Sequence, residues 1–290
     1  MPDPGPPTRE LVGIIERVLA EDMGPGDLTT GALLEERAMA RAEISFREKG
    51  VMAGGIVAEL VLRELDVETE YEQLVPEGGA VEAASPVIRA VARARAILSA
   101  ERVLLNFVAH LSGIATLTAR FVEAVEGTRA EILDTRKTTP GMRALEKYAV
   151  RAGGGTSHRM GLHDAVLIKD NHLTLTGLAP AAAAARAKAR VNRPVEVEVT
   201  TLEEALACAR AGADVIMLDN FEPDRAKGAI DALRAEFPKG ADYWPTIEIS
   251  GGVTLENVRE YALAGPDRIS VGALTHSAAS LDVTLDVCPV

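Results

Sequence analysis

The residues best able to do chemistry sit at regular places in the second half of the chain. Asp134-Thr135-Arg136-Lys137 closes one short apolar run and Lys169-Asp170-Asn171-His172 a second. Glu196 and Glu198 lie inside a third, and Asp219-Asn220 ends a fourth. Ser250-Gly251-Gly252 follows a fifth, and Val271-Gly272-Ala273 a sixth. Arginine grips a carboxylate or phosphate through a two-pronged fork, and lysine acts as a point charge. Arg136, Lys137, Arg159 and Lys169 therefore suit an anionic ligand. Residues 134–172 carry seven cations (Arg136, Lys137, Arg143, Lys147, Arg151, Arg159, Lys169) against four acids (Asp134, Glu146, Asp164, Asp170), a local excess of three in a chain of formal net charge −12. A basic pocket in an acidic protein points to a small anion and argues against nucleic acid as partner, which needs a broad basic face.

Glu198 and Asp219 at neighbouring strand ends, with a phosphorylated ligand, make the usual oxygen set for Mg²⁺. Alternate residues of a strand share a face, so Glu196 and Glu198 point the same way; if inward, each needs a cation or basic partner. Glycine lets a backbone approach a ligand closely, and a helix N-terminus offers free N–H groups. Ser250 to Gly252, with Thr254 as N-cap of the following helix, and Val271 to Ala273 are thus expected to cradle phosphate. Gly153-Gly154-Gly155 before Thr156-Ser157-His158-Arg159 reads as a loop able to fold over a ligand. Two other chemistries stay open. Lys137 or Lys169 is placed to form a Schiff base, as barrel aldolases do, and the same cations would serve a non-catalytic anion binder.

These groups need a scaffold. Six apolar strands are expected at Glu131–Leu133, Ala165–Ile168, Val195–Val199, Val215–Leu218, Thr246–Ile249 and Arg268–Val271, with helices near 141–152, 174–190, 202–212, 222–236 and 254–264. Such β-α repetition gives a parallel sheet, and near-continuous apolar strands fit a barrel core. In a barrel the active site lies at the C-terminal strand ends, where the polar residues above fall. Before the repeat, helical spacing marks 8–22, strand-like alternation 41–53 and a helix 54–65. Broken β-like stretches over 68–96 follow, then a long helix from Ile97 to Glu126 that bridges two domains. The fold class expected is α/β: an incomplete (β/α) barrel over 116–273 with an N-terminal α+β domain over 1–115, which the C-terminal tail 274–290 rejoins.

Composition agrees with a folded globular chain: 290 residues, 47% hydrophobic and 26% charged, with only 3% aromatic, so the core is aliphatic. Cys208 and Cys288 form no zinc or CxxC pattern and suit a reducing compartment. The first ten residues lack an apolar signal core, and no uncharged apolar run approaches the ~20 residues of a membrane span. A cytoplasmic protein with no membrane partner is expected.

The motifs resemble one family. Glu21 to Thr30, Glu101 to Asn106, His110 to Thr116, Asp134 to Gly141, Gly153 to Arg159, Ile168 to His172, Val197 to Val199, Met217 to Asn220, Glu248 to Gly252 and Ser270 to His276 run in order along nearly the whole chain. They resemble the quinolinate phosphoribosyltransferases, the carboxylating nicotinate-nucleotide pyrophosphorylases. The resemblance implies an enzyme of NAD biosynthesis that joins quinolinate to phosphoribosyl pyrophosphate with loss of CO₂, using Mg²⁺. It implies a homodimer or larger assembly in which Arg102 completes the neighbouring subunit's site. It also implies that Thr135, Arg136, His158, Arg159 and Lys169 hold quinolinate. Lys137, Glu198, Asp219, Asn220, Ser250, Gly251, Gly252, Val271, Gly272 and Ala273 would surround phosphoribosyl pyrophosphate, with Glu198 and Asp219 on the metal and Lys137, Lys169, Glu198 and Asp219 catalytic. A related phosphoribosyltransferase-like protein with a different acceptor is the alternative.

Overall fold

The computed structural model describes residues 8–240 and 243–290. The chain divides into two compact units: Met1–Ala119, Thr138–Gly154 and Leu274–Val290 form the first, Arg120–Lys137 and Gly155–Ala273 the second.

The first unit begins with α1 (Thr8–Met23), whose Leu11, Ile14, Ile15 and Leu19 form one buried stripe. The short α2 (Leu28–Leu33), which the apolar periodicity does not announce, is started by Asp27, whose carboxylate accepts the Thr30 N–H at 3.0 Å. The expected strand over 41–53 is two pieces, β1 (Met39–Phe46) and β2 (Gly50–Val51). Then come α3 (Gly55–Leu65), β3 (Glu70–Gln73), β4 (Ala80–Val81) and β5 (Pro86–Arg93). Alternation places Ala40, Ala42, Ile44 and Phe46 of β1 in the core.

The long helix α4 (Ala94–Ala124) follows. It is long and apolar enough to cross a membrane by composition alone, but 61% of its most apolar stretch is buried inside the protein. Its Ile97, Leu104, Val108, Leu111 and Ile114 are core residues.

The second unit opens with β6 (Glu131–Leu133). The next helix, α5 (Arg143–Ala152), belongs to the first unit, not to the second unit's strand-helix repeat. Glu146, fully buried, explains the attachment. Its carboxylate meets His110 Nε2 of α4 at 3.0 Å and accepts the Thr139 N–H at 3.1 Å. Gly153 presses so close to α4 that a methyl group there would stand 2.3 Å from the Ala115 carbonyl oxygen.

The remaining elements are β7 (Val166–Ile168), α6 (Asp170–Thr176), α7 (Pro180–Lys188), β8 (Val195–Val199), α8 (Leu202–Arg210), β9 (Val215–Asp219), α9 (Pro223–Glu236), β10 (Thr246–Ser250), α10 (Val258–Leu263), β11 (Arg268–Ser270), α11 (Ala273–His276) and β12 (Val283–Pro289). Where periodicity gives one helix over 174–190 there are two. Gly177 ends α6 in the left-handed conformation at φ 66°, and Pro180 restarts the helix at its first turn. α10 is also shorter than expected. A turn occupies 255–257 and Asn257, not Thr254, is its N-cap.

Six parallel strands make the second unit's sheet in the order β6-β11-β10-β9-β8-β7. β6 and β7 are the two edges and do not pair, so the barrel is incomplete; Thr156 adds one parallel bridge outside β6. In the first unit the tail strand β12 lies antiparallel to β1, giving the order β12-β1-β5-β3.

Candidate active site

The period of two along the barrel strands sorts side chains into two sets. Ile168, Val195, Val197, Val199, Ile216, Leu218, Ile247, Ile249 and Ile269 are buried apolar residues. The alternate positions, Leu167 and Lys169, Glu198, Met217 and Asp219, Ser250 and Ser270, line a single cavity of about 450 Å³, and Glu196 and Glu248 lie buried on the same face. That volume suits a small metabolite. Thr135, Arg136 and Lys137 after β6, and His158 and Arg159 ahead of β7, complete the wall with Asn220, Gly251 and Gly252.

Most of the residues singled out from sequence therefore meet in one place. Val271, Gly272 and Ala273 do not line the cavity. Val271 is buried, and β11 just before it offers Ser270 instead. Arg102 is exposed on α4 and lines a different cavity, in the first unit, with Glu21, Asp22, Asn106 and His110. Leu167, Met217 and Ser270 were missed, although strand alternation counted back from Lys169, Asp219 and Gly272 points to them.

The cationic side is built for an anion. Arg159 is pushed below the usual guanidinium range by burial and then by the charge of Arg136. Two like charges are thus held within electrostatic reach of each other. Arg136 Nε and Arg159 Nε are buried and have no hydrogen-bond partner among the described residues. Arg159 is steadied by one donated bond, to the Ala165 carbonyl at 3.0 Å. Buried donors without acceptors are costly, so these two call for a ligand's oxygens.

The carboxylate side faces it. Lys169 Nζ lies 2.5 Å from Glu198 Oε2. Asp219 is raised above the usual aspartate range by burial and then by the charge of Glu198. Two carboxylates that crowd each other, offering oxygen alone, fit a hard cation such as Mg²⁺. The glycine loop closes over this end. Asn220 adopts φ 54°, its N–H is donated to the Ser250 carbonyl at 2.9 Å, and Gly251 sits against it at φ 93°.

Glu196 and Glu198 both point into the barrel, and each finds a basic partner. Glu198 has Lys169, and Glu196 Oε2 is 3.2 Å from His158 Nε2, with Glu248 Oε1 at 3.5 Å from the same nitrogen. Burial disfavours a charged His158, but the two carboxylates more than offset it and lift the imidazole to about 10.

Comparison with known proteins agrees with this geometry. Residues 27–112 match the family model for the N-terminal domain of quinolinate phosphoribosyl transferase, and residues 114–286 match that for its C-terminal domain. The chain is 44% identical over 276 residues to the nicotinate-nucleotide pyrophosphorylase [carboxylating] of Mycobacterium leprae, covering 94% of this chain and 95% of that one. To the human protein of the same name it is 37% identical over 292 residues, covering 98% and 95%. The solved structure of the nicotinate-nucleotide pyrophosphorylase from Francisella tularensis superposes with a TM-score of 0.88 at 36% identity, covering 97% of each chain. An α/β chain with a parallel six-stranded sheet, a separate antiparallel sheet and these matches along both of its parts belongs to the quinolinate phosphoribosyl transferase family.

Proposed function

We propose that this protein transfers the phosphoribosyl group of phosphoribosyl pyrophosphate to the ring nitrogen of quinolinate and releases pyrophosphate and CO₂, forming nicotinate mononucleotide for NAD biosynthesis. One observation carries the reading: Arg136 and Arg159, each with a buried, unsatisfied Nε donor, line the same cavity as the Glu198–Asp219 carboxylate pair. A dicarboxylate satisfies the first feature and a metal-bound pyrophosphate the second.

Arg136, Arg159 and Lys169, with Thr135 and His158 beside them, line the end that takes quinolinate. Asn220, Ser250, Gly251 and Gly252 take the 5′-phosphate, while Lys137, with Glu198 and Asp219, faces the pyrophosphate. Glu198 and Asp219 would hold Mg²⁺, which when bound neutralises charge on the departing pyrophosphate. The bond from ribose C1 to the pyrophosphate oxygen breaks, and the electron pair leaves with pyrophosphate. The C1 centre becomes cationic, and the carboxylates of Glu198 and Asp219 lie on the side able to stabilise it. The ring nitrogen of quinolinate then forms the new bond to C1. The C2 carboxylate then leaves as CO₂; the electron pair of its bond stays on C2, stabilised by the adjacent positive ring nitrogen, and takes up a proton. Lys137 and Lys169 act as charges in this scheme, with no covalent adduct.

We further infer a homodimer or larger assembly, in which the exposed Arg102 of one copy completes a neighbour's site, and a cytoplasmic location. Two free cysteines, Cys208 buried and Cys288 exposed, suit a reducing compartment.

The test is direct. Purified protein with quinolinate, phosphoribosyl pyrophosphate and Mg²⁺ should yield nicotinate mononucleotide and CO₂ in equal amounts, none with chelator and none from nicotinate. Product from nicotinate but not quinolinate would overturn the dicarboxylate assignment. A borohydride-trapped adduct would point instead to Schiff-base chemistry.

A further inference from the structure

Glu196 and Glu248, which the reaction scheme leaves without a role, meet His158 of the cavity wall from the barrel interior. His158 uses both ring nitrogens inside the protein. Nε2 faces Glu196 Oε2 at 3.2 Å and Glu248 Oε1 at 3.5 Å, and Nδ1 accepts the Arg159 backbone N–H at 2.7 Å. The His158 backbone N–H is itself donated to the buried Asp134 at 2.9 Å. Glu196 is 5% exposed and Glu248 0%; neither Glu248 oxygen has a hydrogen-bond partner among the described residues, so its approach to His158 is an ionic contact.

We propose that Glu248 is a positioning residue for the quinolinate end of the site. With Glu196 it holds the His158 imidazole by Nε2, and the ring holds the Arg159 backbone by Nδ1, so that the Arg159 guanidinium is presented to the substrate carboxylate. This rests on the function proposed above.

A backbone N–H only donates, so while the Arg159 N–H rests on Nδ1 the ring proton sits on Nε2, towards the two carboxylates. The ring is therefore a strut from the barrel interior to the Arg159 backbone. The two carboxylates favour a second proton on the ring, which can go only to Nδ1 and there competes with the Arg159 N–H, so the state of the imidazole is tied to the place of the arginine. Buried carboxylates are expensive unless they are partnered, and one imidazole needs only one. Their second use is electrostatic. Arg136 lowers Arg159 by its like charge and Glu196 opposes that effect. Glu196 thus offsets part of the repulsion between the two guanidinium groups before substrate arrives. Glu248 sits on β10 two residues before Ser250, on the same face of the strand, so any shift of its side chain is confined by the sheet.

The same three groups, whose ligand atoms all lie within 4.8 Å of one another, also have the composition of a metal site, and the experiment separates the two. Glu248→Ala and Glu248→Gln proteins would be assayed with both substrates, and the imidazole nitrogens of His158 would be followed by ¹⁵N NMR. In the wild type the spectrum should show protonated Nε2, with Nδ1 losing its proton only as the pH approaches about 10. Glu248→Ala should move those signals and raise the KM for quinolinate about tenfold or more, as a small misplacement of a binding group does, leaving the KM for phosphoribosyl pyrophosphate within about twofold. Glu248→Gln, which keeps an acceptor oxygen, should recover most of the loss and still shift Nε2. It carries the readout if the alanine variant does not fold. An unchanged quinolinate KM with unmoved His158 signals would overturn the proposal. So would equal loss for both substrates, or stoichiometric metal in the wild type that disappears from Glu248→Ala. An inactive wild type would sink the function while the nitrogen spectra still judge the strut, because they need no turnover.

Discussion

Gly251 lies against Asn220 so closely that a Cβ added to it would stand 2.3 Å from Asn220 Oδ1 and 3.0 Å from the Asn220 backbone nitrogen. The two residues end neighbouring strands, β10 and β9, and the contact brings the loop over the carboxylate end of the cavity. Gly251 also has φ 93°, which a side chain resists. Gly251→Ala is expected to raise the KM for phosphoribosyl pyrophosphate strongly and that for quinolinate little. The strained backbone should cost more than about 1 kcal/mol of stability. Steady-state kinetics with each substrate varied, together with a urea titration, would check both halves.

Lys169 joins the two ends of the site, since its ammonium sits on Glu198 at 2.5 Å while its chain lines the same wall as Arg159. Lys169→Ala should lower kcat/KM for quinolinate by about 10- to 100-fold, the scale of a charge-assisted hydrogen bond of ~1.5–3 kcal/mol. With the pair partly exposed, its loss should move stability little. A large fall in Tm with an unchanged kcat/KM would show the pair to be structural only.

If Arg102 works in a neighbouring subunit, two impaired proteins should repair each other. Arg102→Ala and Lys169→Ala chains, mixed and allowed to exchange subunits, are expected to regain about a quarter of wild-type activity, because random pairing leaves one intact site in each mixed dimer. Mixed dimers verified by mass spectrometry that stay inactive would place Arg102 outside the shared site.

The two thiols should behave differently. Cys208 on α8 is fully buried, and burial, then the charge of Glu204, pushes its thiol up to about 12. Cys288 on β12 is exposed. Alkylation of the native protein at pH 8 should label Cys288 alone, and the denatured protein should take two labels. The sign for stability follows. The folded state keeps the Cys208 proton to about 12, whereas an unfolded thiol releases it near 9.0. Stability should therefore fall as pH rises from about 9 towards 12.

Much of the fold was legible because local chemistry and tertiary structure agree. The six short barrel strands keep apolar residues on the face that packs against the helices, such as Val195, Val197 and Val199, Ile216 and Leu218, and Ile247 and Ile249, as a parallel sheet covered by helices requires. The same regularity delivers Lys169, Asp219, Ser250 and Gly251 to one rim, since a charged residue closing an apolar strand can only emerge at its C-terminal end. Local breakers were harder to weigh. Gly177 and Pro180 are plain in the sequence, yet the alanine-rich stretch around them carries a helical pattern that outweighs two residues until the chain has to turn. The attachment of α5 to the first unit was hidden. It depends on Glu146 reaching His110, a contact between residues 36 apart that no periodicity reports.

The sequence by itself determined which residues could make an anion site and in what order the strands would present them, because period and residue type are local properties. Only the tertiary structure decided that Glu196 and Glu248, on strands separated by β9, converge on His158. It alone left the Arg136 and Arg159 Nε donors without partners and laid Gly251 on Asn220. Those relations depend on the tilt and closure of a sheet, which set distances across the barrel that no stretch of chain encodes alone.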